Sequence, residues 1–104
     1  MIKMEIRITQ LRDSGTGGTW ADGTVGPFTF QALVFKDHAA SKSFELGRSR
    51  ISKMQVKLRG PEFRPVFNFD RGMDIPAKTA DAKNAVKLLT EQLAKLVFPK
   101  RAHI

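Results

Sequence analysis

The densest chemistry in this sequence lies between residues 48 and 60, where Arg48, Arg50, Lys53, Lys57 and Arg59 occur with no acid among them. Cations held along one element suit phosphate. Each Lys or Arg that neutralises a phosphate releases condensed counterions, so binding is strong in dilute salt and falls steeply as salt rises. Such contacts position a polynucleotide without reading its bases. Lys53, Lys57 and Arg59 are separated by even numbers, so a regular strand turns all of them to one side. Lys3 and Arg7 widen that patch if the first strand shares the face, and Glu5 dilutes it. The competing reading is a solvated sheet face whose lysines discourage edge-to-edge pairing. The basic face of this strand carries no aromatic residue, which argues against base stacking on a single strand.

Other residues that could do chemistry are sparse. Gly15-Thr16-Gly17-Gly18 is glycine-dense, but a phosphate loop needs a lysine and a helix immediately after it. A strand follows here, so a hairpin loop is the expectation. Asp70 and Asp74 flank Arg71-Gly72, too few carboxylates for a hard cation, and read as a structural turn. His38 and His103 have no nucleophile at motif spacing, and the absence of cysteine removes zinc ribbons and thiol chemistry. Trp20 is a stacking platform or, as is commoner for a lone Trp, part of the packing. The expectation is a non-enzymatic protein with no cofactor and no metal.

The elements that must position these residues follow from periodicity. Ile2 to Leu11 alternates cleanly, Thr19 to Val25 is a short second strand, and Phe28 to Lys36 is a third. The third places Phe28, Phe30, Ala32 and Val34 on one face and Leu33 and Phe35 on the other. It is therefore central, and a loop or a second subunit must cover what one helix cannot. Asp37 to Gly47 is a polar loop with Phe44 and Leu46 turned inward. The fourth strand runs from about Arg50 to Arg59, with Met54, Val56 and Leu58 inward, and the fifth from Val66 to Asp70. Arg71-Gly72-Met73-Asp74 turns the chain.

Ala80 to Phe98 is an amphipathic helix capped by Thr79, with Asp81 in its first turn. Its apolar stripe is Ala82, Ala85, Val86, Leu89, Leu93, Leu96 and Val97. Strands followed by a helix predict an α+β domain over residues 1–98, a five-stranded antiparallel sheet with one C-terminal helix on one face. Residues 99–104 form a basic tail.

At 104 residues and 41% hydrophobic composition, the chain is long enough for a core without disulfides. The formal charge of +8, from 18 Lys/Arg against 10 Asp/Glu, favours polyanionic partners. The alternating N-terminus is not a signal peptide, and no segment approaches a membrane span. Cytoplasm without a membrane partner is the expectation.

The run Trp20 to Ala32, then Ser49-Arg50-Ile51-Ser52-Lys53-Met54, then Phe69-Asp70-Arg71-Gly72, resembles a family of small uncharacterised proteins from bacteria, phages and mobile elements. Met73 departs from the aromatic expected there. The resemblance implies a single domain over about residues 20–98 in a mobile-element context, and it transfers no catalytic residue. The order of elements is also similar to that of coactivator-type and Whirly-like single-strand DNA binders, a likeness of topology only.

Two functions from different classes remain. One is a nucleic-acid-associated protein that holds DNA or RNA through the basic strand and Lys3 and Arg7. The other is a protein-interaction module or homodimer, an accessory or inhibitor protein, that uses the surface of Phe28, Phe30, Leu33 and Phe35.

Overall fold

In the computed structural model, which describes residues 4–99, alternation of side chains produces one antiparallel sheet and the 3.6-residue stripe produces one helix. Lys3 and residues 100–104 of the expected tail lie outside the described residues. The strands are β1 (Ile6–Asp13), β2 (Thr19–Val25), β3 (Phe28–Val34), β4 (Ile51–Leu58), β5 (Pro65–Asp70) and β6 (Met73–Ile75). They pair in chain order, and α1 (Ala80–Val97) follows. The fold is α+β as expected, with one more strand. Met73–Ile75, read as part of a turn, pairs with β5 because Arg71 takes φ 55° and reverses the chain tightly enough for Met73 to lie opposite Phe69.

One face of the sheet is dry. Ala21, Val25, Phe28, Phe30, Ala32, Val34, Met54, Val56, Phe67 and Phe69 bury against Ala82, Ala85, Leu89, Leu93 and Ala94 of α1. Alanines at 82 and 85 let the helix backbone lie close to the phenylalanines beneath it. Thr79 caps the helix as expected: its backbone is extended and its Oγ1 accepts from the Ala82 N–H at 3.1 Å. Leu96 departs from the predicted stripe. It is about half-exposed because the helix reaches the sheet edge there, opposite Met4 and Ile6 of the first strand and its approach. Leu58 and Phe44 are likewise exposed rather than turned inward, Leu58 because β4 ends at that residue and Phe44 because it stands in a short 3₁₀ turn outside the sheet.

Phe28 and Phe30, two of the residues expected on an interaction surface, are core under the helix. Leu33 points to the other face yet is only 7% exposed. Its cover is the β1–β2 hairpin loop. Ser14 Oγ accepts from the backbone of Thr16 and Gly18 and folds that loop inward. Gly18 then lies against Leu33 and Phe35, where an added Cβ would come within 2.9 Å of each ring or methyl. The glycine run is thus a hairpin loop that closes a second, small apolar patch.

Gly23 looked like a weakness in β2, but its missing side chain is a requirement. A Cβ there would sit 2.0 Å from the Arg7 carbonyl and 2.9 Å from the Phe30 ring. Gly23→Ala is therefore expected to lower the unfolding free energy by about 2–3 kcal/mol, through overpacking and a displaced β1. Urea denaturation checks this, and a variant as stable as the parent would contradict the packing described.

Candidate binding face and pocket

Register decides which side chains meet on the uncovered face. One cross-strand row runs Arg12, Trp20, Leu33, Lys53, Asp70. The next runs Gln10, Asp22, Gln31, Gln55, Asn68, and a third runs Arg7, Thr24, Thr29, Lys57. Half-buried Trp20 therefore stands among cations and amides. Trp20, Gln31, Lys53, Gln55 and Asn68 line a shallow depression of about 150 Å³. The aromatic missing from the basic face of β4 comes from two strands away. The signal was present in the sequence, since Trp20 shares its parity with Asp22 and Thr24 and opposes Ala21, Gly23 and Val25.

The expected positive stripe does not form as one surface. Lys53 and Lys57 share the open face. Arg59 follows the end of β4, where its N–H donates to the Pro27 carbonyl. Arg48 and Arg50 belong to the loop before β4. On the open face, Arg12 pairs with Asp22 at 3.1 Å, Lys53 with Asp70 at 3.7 Å and Arg7 with Glu5 at 3.6 Å. Lys57 makes no ion pair among the described residues. Asp22 and Asp70 come from neighbouring strands, a relation that the residues of β4 alone do not show, whereas Glu5 stands two residues from Arg7 and dilutes the patch as expected. The pairs are exposed and each holds weakly, at about 0–1 kcal/mol, so a phosphate can displace the acid. The face is mixed in sign rather than a cationic stripe.

At the end of this face where β3 leaves and β4 enters, a larger depression of about 390 Å³ has Phe35, Lys36, Phe44, Arg50, Ser52 and Arg71 in its wall. Its shape depends on Glu45, a buried carboxylate. Oε1 accepts from the Ala39 N–H and Oε2 lies 2.8 Å from His38 Nδ1. His38 is thus a loop-holding residue. Asp70 and Asp74 also serve structure: Asp70 pairs with Lys53, and Asp74 accepts from Asn68 at 3.0 Å. Among the described residues no group of three or more His, Asp or Glu could hold a metal ion, and no helix is long and apolar enough to cross a membrane.

Burial alone would raise the Glu45 pKa, but the Ala39 N–H, the His38 ring and the Arg50 backbone outweigh it and hold the carboxyl below its ordinary 4.5. A depressed carboxylate stabilises the fold above its unfolded pKa, and that contribution is lost as pH falls through the lower folded value. Glu45→Ala is accordingly expected to cost about 2 kcal/mol at neutral pH. The gap to the parent should narrow toward about pH 3. Thermal melts at both pH values test this, and a gap that stays constant or widens in acid would refute it.

No curated protein and no solved structure matches the chain significantly. Residues 19–94, which include Trp20, the open-face rows of β2 to β5 and nearly all of the larger depression, match DUF7678, a domain of unknown function. Since that match spans most of the sequence, the chain belongs to the DUF7678 family.

Proposed function

We propose that this protein is a non-catalytic binder of single-stranded nucleic acid that lays the strand across the open sheet face. The observation that carries the reading is the position of Trp20, in one cross-strand row with Arg12 and Lys53 and beside Gln31 and Gln55. A solvent-facing sheet with an aromatic among cations and amides can stack a base, hold the adjoining phosphates and hydrogen-bond base edges. Arg7, Arg12, Lys53 and Lys57 are the phosphate partners in this reading. Arg48 and Arg50 precede β4 and Arg59 follows it, so they stand at the two ends of the strand. The overall charge of +8 draws a polyanion toward the protein, and stacking holds it there.

Because most of the face cations already have acid partners, the salt dependence should be moderate. Four phosphate contacts give a slope of roughly −3 in log affinity against log salt, at about −0.7 per phosphate on single strands. The sequence has one tryptophan, so its fluorescence reports the stacking directly. Unlabelled single-stranded oligonucleotides should quench it, more strongly than duplex of the same length. Trp20→Ala, followed by anisotropy, should weaken binding about tenfold or more. Lys53→Ala with Lys57→Ala should weaken binding and flatten the salt slope. Absence of quenching and of binding in dilute salt would defeat the proposal.

A second reading, a protein-interaction module, draws on the groove of about 440 Å³ between Met4 and Ile6 on one side and Leu88 and Leu96 on the other. It lies beside the edge strand β1, where a partner can add both apolar contact and strand pairing. Light scattering over a wide concentration range tests self-association. A dimer that Leu96→Asp dissociates would support this reading, and a monomer throughout would remove the homodimer.

A further inference from the structure

We propose that the depression between the ends of β3, β4 and β5 is a binding site for the phosphorylated end of a nucleotide, either a free nucleoside monophosphate or the terminal nucleotide of a strand. This site is separate from the Trp20 row and does not rest on the sheet-face reading.

Backbone geometry first singles out the place. Arg50 at φ 64° and Arg71 at φ 55° are non-glycine residues in the left-handed region, a conformation that costs energy and persists only where its surroundings hold it. Both line this depression. The Arg50 carbonyl accepts from the Phe35 N–H at 2.9 Å, and the Arg71 N–H donates to the Ser52 carbonyl at 3.0 Å. These bonds lock both strained residues to the ends of β3 and β4. Between them, Ser52 is the extra residue of a β-bulge, since Val34 pairs with Ile51 and Leu33 with Lys53. A bulge re-aims the side chain it carries.

Side-chain chemistry then indicates the ligand. Ser52 Oγ is shielded from solvent and has no hydrogen-bond partner, a state that an incoming oxygen would relieve. The Arg71 guanidinium lies over the Phe44 ring at 5.9 Å, and its donors make no hydrogen bond or ion pair among the described residues, so they are available to a ligand. Arg50 spends one donor on the Lys36 carbonyl at 2.7 Å and keeps others for a ligand. Glu45, the buried acid of the wall, is already satisfied by Ala39 and His38, and Asp37 is exposed at the rim. Lys36, Arg50 and Arg71 therefore outnumber the acids that could oppose an anion. A phosphomonoester suits the planar donor forks of the two arginines and the small cationic excess they share with Lys36 over Asp37 and Glu45. The half-buried Phe35 and half-exposed Phe44 supply apolar wall for a base, and about 390 Å³ accommodates a mononucleotide.

The test is calorimetric titration of the full chain with adenosine monophosphate, adenosine and inorganic phosphate, beside oligonucleotides with and without a 5′-phosphate. Adenosine monophosphate should bind about tenfold or more tightly than adenosine. Arg71→Gly keeps the backbone bond to Ser52 and relieves the strained φ. It should remain cooperatively folded while losing about tenfold or more in affinity. Ser52→Ala should melt at or above the parent temperature, having lost an unsatisfied hydroxyl, yet bind the monophosphate several-fold more weakly. On Trp20→Ala, tighter binding of the 5′-phosphorylated oligonucleotide than of the unphosphorylated one would assign the site to a strand end, and equal binding of the two beside tight monophosphate binding to a free nucleotide. Trp20→Ala should leave monophosphate binding unchanged, so failure of the sheet-face reading and failure of this one are distinguishable. No heat with the monophosphate, equal affinity for adenosine, or undiminished affinity in both Arg71→Gly and Ser52→Ala would overturn the proposal.

Discussion

Everything else in this fold depends on how α1 seals one side of the sheet. The buried stripe of Ala82, Ala85, Leu89 and Leu93 meets Phe30, Phe67, Phe69 and the valines of β2 to β4 in a single apolar cluster. Burial of that area is the main favourable term in the stability of so small a domain. It also determines register. A one-residue slip in any central strand would turn its phenylalanines or valines into water. Gly23 shows how tight the solution is, since β1 and the Phe30 ring together occupy the space a side chain would need. With one face committed to the core, the opposite face must satisfy water by itself, and it does so with rows of amides and ion pairs.

The uncovered face is not uniform, and its exceptions lie toward one end. Leu33 and Phe35 would be apolar residues in water were the hairpin loop of Ser14 to Gly18 not folded over them. The loop after β3 is held by Glu45, whose two oxygens collect the Ala39 N–H and the His38 ring. These two loops and the β5–β6 turn build walls around a hollow. Its lining includes Ser52, whose shielded hydroxyl has no partner, and two strained arginines. Local rules are broken there together, at the bulge, the left-handed residues and the lone hydroxyl. Single departures occur elsewhere, at Phe63 and at other bulges, but a cluster of them is where selection for something besides stability is expected.

Charge tells a related story. A surplus of cations in sequence does not become a cationic surface unless the neighbours on adjacent strands are neutral. Here Asp22 and Asp70 arrive beside Arg12 and Lys53 by strand pairing, and exposed pairs of that kind contribute little to stability. Their effect is to lower the net field of the face while keeping exchangeable cations near Trp20. Arg50 and Arg71 meet instead where the loops converge. Separating a mixed, aromatic-bearing face from a cation-rich hollow gives one small domain two chemically different surfaces.

The sequence by itself determined the class of fold, most strand positions, the helix and its Thr79 cap, because those follow from period and local hydrogen bonding over a few residues. It also determined that Lys53 and Lys57 share a face and that Leu33 and Phe35 need a cover. It did not reveal β6, whose three residues pair only because Arg71 adopts a left-handed turn that favours glycine. Nor did it reveal that Arg50 and Arg71 share one hollow, or that Trp20 stands beside Lys53. Those facts are relations between residues far apart in the chain. Only tertiary structure decides them, since which strand lies beside which, and with what bulge, is settled by packing of the whole sheet against the helix rather than by any local stretch of residues.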